Sequence, residues 1–131
     1  MSTTASRDTT TGTTYEKEIE NLLEQFSSHQ FQSQVNVGLK RNGGKHYVDI
    51  LLNGDTLLSL KYQRVQGTAE EKVPFEVMKL HHTCIDYGYD SAILVLAGPD
   101  KAWKWKDYYL GEQFQNDMKQ IYPTVRIISH E

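Results

Sequence analysis

Apolar and polar positions change period several times along the chain, and each change marks an element. From residue 15, the apolar side chains Tyr15, Ile19, Leu22, Leu23 and Phe26 fall at helical spacing among Glu16, Lys17, Glu18, Glu20 and Glu24. That pattern predicts a helix over residues 14–27. Residues 31–39 alternate instead, with Val35, Val37 and Leu39 set against Gln34, Asn36 and Gly38, the period of a half-buried strand. Arg41-Asn42-Gly43-Gly44 predicts a hairpin turn, because Asn and Gly tolerate the positive φ that such turns need. A second strand returns over residues 46–52, Asn53-Gly54-Asp55 turns again, and residues 56–63 complete an antiparallel meander.

The second half of the chain reads differently. Pro74 suits a first helical turn and Gly88 a helix end, so a helix is expected over residues 74–87, with Val77, Leu80, Cys84, Met78 and Ile85 turned inward. Ser91 to Ala97 is a nearly unbroken apolar run, as a central strand buried on both faces requires. Residues 103–119 are amphipathic and read as one helix, and residues 125–128 form a last strand. Residues 1–13 are Thr/Ser-rich and lack the apolar side chains that would offset ordering entropy, so they are read as a flexible tail before a single domain over 14–131. The resulting order, α-β-β-β-α-β-α-β, is an α/β fold with a mixed sheet flanked by helices.

Composition narrows the class. With 131 residues, 38% hydrophobic, the chain suits one packed domain. No apolar run is long enough to span a bilayer and no apolar signal region opens the sequence, so a cytoplasmic protein without membrane contact is expected. A single cysteine, Cys84, forms no internal disulfide and fits a reducing compartment. The net charge of -3 removes the simplest electrostatic case for nucleic-acid binding. Its distribution is uneven, however: residues 38–82 hold seven basic and five acidic side chains.

Candidate chemistry sits in that middle third. Asp49 lies among Val48, Ile50, Leu51 and Leu52, and Lys61 follows Leu57, Leu58 and Leu60. Charges embedded in apolar strands need a reason, since burying an unpaired one is expensive. They either pair with each other across the hairpin, point to solvent, or share a working face. Strand alternation sets Ser59, Lys61 and Gln63 on one face and Leu58, Leu60 and Tyr62 on the other. A carboxylate that holds a divalent cation, beside a lysine that orients water, is the minimum set for metal-assisted phosphodiester hydrolysis.

These features resemble the PD-(D/E)XK nuclease superfamily over roughly residues 13–128. The resemblance rests on the glutamate-bearing first helix at Tyr15-Glu16-Lys17-Glu18-Ile19, on Asp49 in His46-Tyr47-Val48-Asp49-Ile50, on Ser59-Leu60-Lys61-Tyr62-Gln63, and on the element order. It implies a restriction-endonuclease-like core and a Mg2+- or Mn2+-dependent DNA endonuclease, of restriction, homing or junction-resolving type. Asp49 would be the metal-binding aspartate, Lys61 the motif lysine, and Gln63 a residue near the scissile group. Glu16 is the helix glutamate in the best register, with Glu18 and Glu20 nearby. Ser59 departs from the pattern, standing where the family has a second acid. Either that acid comes from elsewhere or the protein is a non-catalytic nucleic-acid-binding or assembly domain on a degenerate scaffold. Glu76 is the expected replacement metal ligand, because residues 64–73 can fold the first turn of the next helix back over Asp49 and Lys61; Glu70 and Glu71 are alternatives, and a plain surface role suits any of them. Lys72, His81 and His82 are candidates to meet phosphates. Trp103, Trp105, Tyr108 and Tyr109 are candidates to stack on bases, pack in the core, or mediate contact between subunits. Duplex or branched DNA is the expected partner, and two-stranded cleavage by so small a core implies a homodimer or a higher homo-oligomer.

Overall fold

A computed structural model describes residues 6–25 and 30–130. The elements run α1 (Ser6–Gln25), β1 (Phe31–Leu39), β2 (Lys45–Leu52), β3 (Thr56–Tyr62), α2 (Val73–Tyr87), β4 (Ser91–Ala97), α3 (Lys106–Leu110), α4 (Glu112–Ile121) and β5 (Val125–His130), with short 3-10 turns at Ala69–Lys72 and Asp100–Ala102. The five strands form one sheet in the order β1-β2-β3-β4-β5. β1, β2 and β3 pair antiparallel, whereas β3, β4 and β5 run parallel. The expected mixed α/β architecture is therefore present.

Helices cover both sheet faces. On one, Val73, Val77, Leu80 and Cys84 of α2 recur at helical spacing and bury against Val48, Leu57, Leu94 and Leu96. Complete burial of a side chain such as Leu80 or Leu57 stabilises the fold by about 1.5–3 kcal/mol. On the other face, Ile19 and Leu23 of α1 pack against Ile50, Leu58 and Val95. Tyr15 completes that stripe, stacking on Tyr62 and hydrogen bonding through its hydroxyl to His130 Nδ1 at 2.7 Å. Burial, with help from Glu18, pushes the Tyr15 hydroxyl up to about 12, so it remains a neutral hydrogen-bonding group.

Several boundaries depart from the sequence pattern. α1 begins at Ser6, inside the segment expected to be a tail. Once an amphipathic turn has nucleated, each further residue adds one hydrogen bond for one residue fixed, so a helix can run into a polar stretch. Residues 1–5 and Phe26 lie outside the described residues. Leu22 and Ile85, expected inward, are exposed. The single helix over 103–119 is instead two helices broken at Gly111, whose extended backbone ends α3 and caps α4. There, a Cβ would stand 3.0 Å from the Asp107 carbonyl oxygen.

Candidate active site

The meander is distorted at Asp49, and the distortion creates the site. Opposite it in β1, Gln34 adopts the left-handed φ of 54°, and the Gln34–Asp49 step is absent from the ladder, which shifts register again between Asn36 and Gly38. Such a conformation costs a non-glycine residue about 1–3 kcal/mol and persists only where its surroundings enforce it. As a result Val48 faces α2 while Ile50, two residues on, faces α1. On the other side, β2 and β3 stop pairing beyond Ile50↔Leu58. The Leu60 backbone N–H donates instead to Asp49 Oδ2 at 2.7 Å, so the carboxylate takes the place of a ladder partner.

Glu16 reaches this fork from α1. Its carboxylate accepts from Gln34 Nε2 at 2.9 Å and shares a hydrogen bond with Asp49. Burial and the neighbouring Asp49 push Glu16 up to about 7. Burial also raises Asp49, against the opposing effect of the Leu60 N–H. Two desolvated carboxyls are thus held together: Asp49 makes the charge of Glu16 less favourable, while the hydrogen bond from Glu16 partly offsets the cost of burying the charge of Asp49.

Glu76 arrives from the opposite face, in the first turn of α2. Ser59 Oγ donates to Glu76 Oε2 at 3.0 Å, while Oε1 lies 3.7 Å from Lys61 Nζ and 3.1 Å from Lys79 Nζ. Burial would push this carboxyl up, but Lys61 and Lys79 outweigh it and hold Glu76 below the ordinary glutamate range. Lys79 was not among the candidates, although its position three residues after Glu76 is a readable helix-surface pairing. Asp49 and Lys61 do not pair directly across the hairpin: each is bound to another partner.

The remaining candidates fall into different places. Gln63 is buried on the Ser59–Lys61 face, and its side-chain amide donates to the Ala102 carbonyl and, at 3.5 Å, to Glu70 Oε2. Glu70 is no substitute acid, because its buried carboxylate accepts the backbone N–H groups of Lys104 and Trp105 at 2.8 Å each. Glu71 is exposed, Glu20 lies 3.8 Å from Lys17, and Glu18 lines a separate cavity of about 480 Å3 beside Tyr15 and His130. His81 Nδ1 is hydrogen bonded to Thr124 Oγ1. Trp103 and Tyr109 are buried, Trp103 donating to the Ala97 carbonyl and Tyr109 to that of Glu70, whereas Trp105 and Tyr108 are exposed.

A family model for a PD-(D/E)XK nuclease superfamily domain matches residues 7–125. The chain belongs to the PD-(D/E)XK nuclease superfamily. No curated protein and no solved structure gives a significant match. Membership makes nucleic acid the class of substrate, and nucleases of this superfamily typically use divalent metals. The donor chemistry here fits such an ion. Asp49, Glu16 and Glu76 offer only hard carboxylate oxygens, and the first two disfavour charge until a cation balances it. Among the described residues, however, no three ligating side chains converge in this arrangement: Glu16 reaches Asp49 from α1, whereas Glu76 comes from α2 on the opposite face and is paired with the two lysines. Among the described residues, no helix is long and apolar enough to cross a membrane.

Proposed function

We propose that the protein is a metal-dependent DNA endonuclease, using Mg2+ or Mn2+, that acts as a homodimer. The position of Glu76 carries this reading. A buried carboxylate bonds the hydroxyl of Ser59 and faces Lys61, which returns an acid to the place where the superfamily pattern has one and this sequence has serine. A decayed scaffold would have no need to bring Asp49, Lys61 and a relocated acid together.

Asp49, Glu76 and Glu16 would hold the metal. When bound, the ion supplies Lewis-acid neutralisation of the phosphate oxygens and lowers the pKa of water. The protein's own groups do the positioning. The Leu60 N–H fixes the Asp49 carboxylate, and Gln34 fixes Glu16. Lys61, its side chain a quarter exposed, is the group able to donate to the attacking water or to a non-bridging oxygen. Ser59 and Gln63 line the same strand face, Ser59 orienting Glu76. Exposed Trp105 and Tyr108, packed edge to face at 5.7 Å, offer an apolar surface for a second subunit. Light scattering with and without duplex is expected to show two copies.

Cleavage of supercoiled plasmid and of a four-way junction in Mg2+ tests the reading. Wild type is expected to cut, and Lys61→Ala to lose at least 100-fold; equal activity of the two would overturn the assignment.

A further inference from the structure

The connection between β3 and α2 encloses a pocket of about 260 Å3 next to Lys61, walled by Lys61, Gln63, Arg64, Gly67, Thr68 and Lys72. Two independent features describe its occupant. The first is charge. The chain is net negative, yet three cationic side chains and no acidic one line this pocket. Among the described residues, neither Arg64 nor Lys72 enters an ion pair.

The second is an orphaned acceptor. Gln63 is 5% exposed, and its Nε2 is committed to the Ala102 carbonyl and the Glu70 carboxylate. Both partners are acceptors, so turning the amide over would set oxygen against oxygen. That fixes Oε1 on the other side, where it is buried without a partner. It faces the loop at Gly67, where an added Cβ would stand 4.0 Å away. A buried acceptor in this state is satisfied only by a donor entering the pocket.

A bare anion would answer the cations but face the acceptor with oxygen; an uncharged base would answer the acceptor but leave the cations idle. A nucleotide carries both groups. We propose that this pocket binds the nucleotide flanking the scissile phosphate, with Arg64 and Lys72 on its phosphate and Gln63 Oε1 accepting from the exocyclic amine of its base. The inference rests on the nuclease reading, since Lys61 marks the scissile position. Lys61 in β3 and Gln63 just beyond its end lie two residues apart, about 6.6 Å of extended chain, so the pocket adjoins the scissile position.

The test uses the whole chain with Arg64→Ala and Lys72→Ala combined. Binding to a fluorescent 30-base-pair duplex, titrated with KCl in Ca2+, should show a salt slope reduced by about 2 relative to wild type, one phosphate contact for each cation removed. Cleavage in Mg2+ should show KM raised about tenfold or more with kcat within threefold. On a duplex with adenine beside the cut bond, replacing it with purine, which lacks only the amine, should raise the wild-type KM several-fold. An unchanged slope and KM in a double variant that still cleaves would overturn the subsite and leave the nuclease reading standing. A reduced slope in a protein whose wild type never cleaves would uphold the phosphate contacts and overturn the nuclease reading. Equal KM for adenine and purine would remove Gln63 from recognition.

Discussion

If Glu76 is a relocated acid, moving the carboxylate back to β3 should restore what deleting it destroys. The perturbation is a cycle of Glu76→Ala, Ser59→Glu and the two combined. In the wild-type protein, Glu76 lies 3.7 Å from Lys61 and 3.1 Å from Lys79. At an effective dielectric near 20, each such pair is worth about 4–5 kcal/mol of gross attraction. Desolvation of the carboxylate takes back much of this, but attraction wins on balance, since the Glu76 carboxyl is held below its ordinary range. Glu76→Ala leaves two ammonium groups facing each other without the carboxylate. Removing one partner of a buried pair costs about 3–5 kcal/mol. The lysines are only about three-quarters covered, with side-chain exposures of 25% and 21%, which lowers the expected loss to about 2–3 kcal/mol.

Ser59→Glu alone should do harm of a different kind. Ser59 Oγ is 3.0 Å from Glu76 Oε2, so a new carboxylate there meets an existing one, and one of the two must take up a proton or move away. The combined variant removes that conflict and returns a negative charge beside Lys61. Urea unfolding and plasmid cleavage in Mg2+ read the two consequences separately. Glu76→Ala removes a proposed metal ligand and should lose at least about 100-fold in cleavage, more than the roughly 10–100-fold that disturbing only the support of a ligand produces, and Ser59→Glu should be less stable than wild type. The double variant should recover at least tenfold in cleavage over Glu76→Ala, with an interaction energy of about 1–3 kcal/mol in stability. Full activity in Glu76→Ala, or strict additivity of the two changes, would refute the relocation.

Other perturbations separate the fold from the site. Asp49→Asn keeps an oxygen for the Leu60 N–H and should unfold within about 1 kcal/mol of wild type while losing cleavage, whereas Asp49→Ala orphans that N–H and should cost about 1–3 kcal/mol as well; equal stability of the two would remove the carboxylate's role as a ladder partner. In EDTA, the Glu16 carboxyl keeps its proton in the folded state up to about 7, against an ordinary value of 4.5, so its contribution to stability is complete below 4.5 and is lost as pH rises through about 7. Glu16→Gln should therefore raise the melting temperature more at pH 8 than at pH 5, and a pH-independent difference would refute the coupling to Asp49. Gly98 has φ of 105°, and a Cβ there would lie 2.1 Å from the Gln63 carbonyl oxygen, so Gly98→Ala should destabilise by more than about 3 kcal/mol in urea; a loss below 1 kcal/mol would show that the ends of β3 and β4 part easily.

Much of this arrangement is written in local pattern. The turn at Arg41–Gly44 follows from Gly43, which takes φ of 94° and lets the Lys40 carbonyl accept its N–H. Gly88 ends α2 at φ of 76°. The apolar run Ser91–Ala97 is the central parallel strand, and alternation along β3 correctly sets Ser59 and Lys61 against Leu58 and Leu60. Where local pattern failed, the deciding contact was distant in sequence. Nothing near Gln34 announces a left-handed residue inside a strand; the distortion is legible only once Glu16 of α1 and Asp49 of β2 are both beside it. Gly111 alone could not decide between tolerance within one helix and a break between two.

The site is legible to the same extent and for the same reason. Asp49 and Lys61 stand out because a charge within an apolar strand is a local anomaly. The pairing of Glu76 with Ser59 spans 17 residues and depends on how the 64–72 connection returns α2 to the sheet. Lys79 belongs to the same group, and its i,i+3 relation to Glu76 turns an apparently ordinary helix pair into a clamp on a buried carboxylate. That clamp has a chemical consequence. With Glu76 held by two cations and Asp49 sharing a proton-bearing contact with Glu16, the negative charge of the site is stored in neutralised form. On the nuclease reading, a divalent cation held by these carboxylates would compete with Lys61 and Lys79 for Glu76 and with the proton shared by Asp49 and Glu16. Metal binding would then be linked to proton release and would leave Lys61 freer to face water.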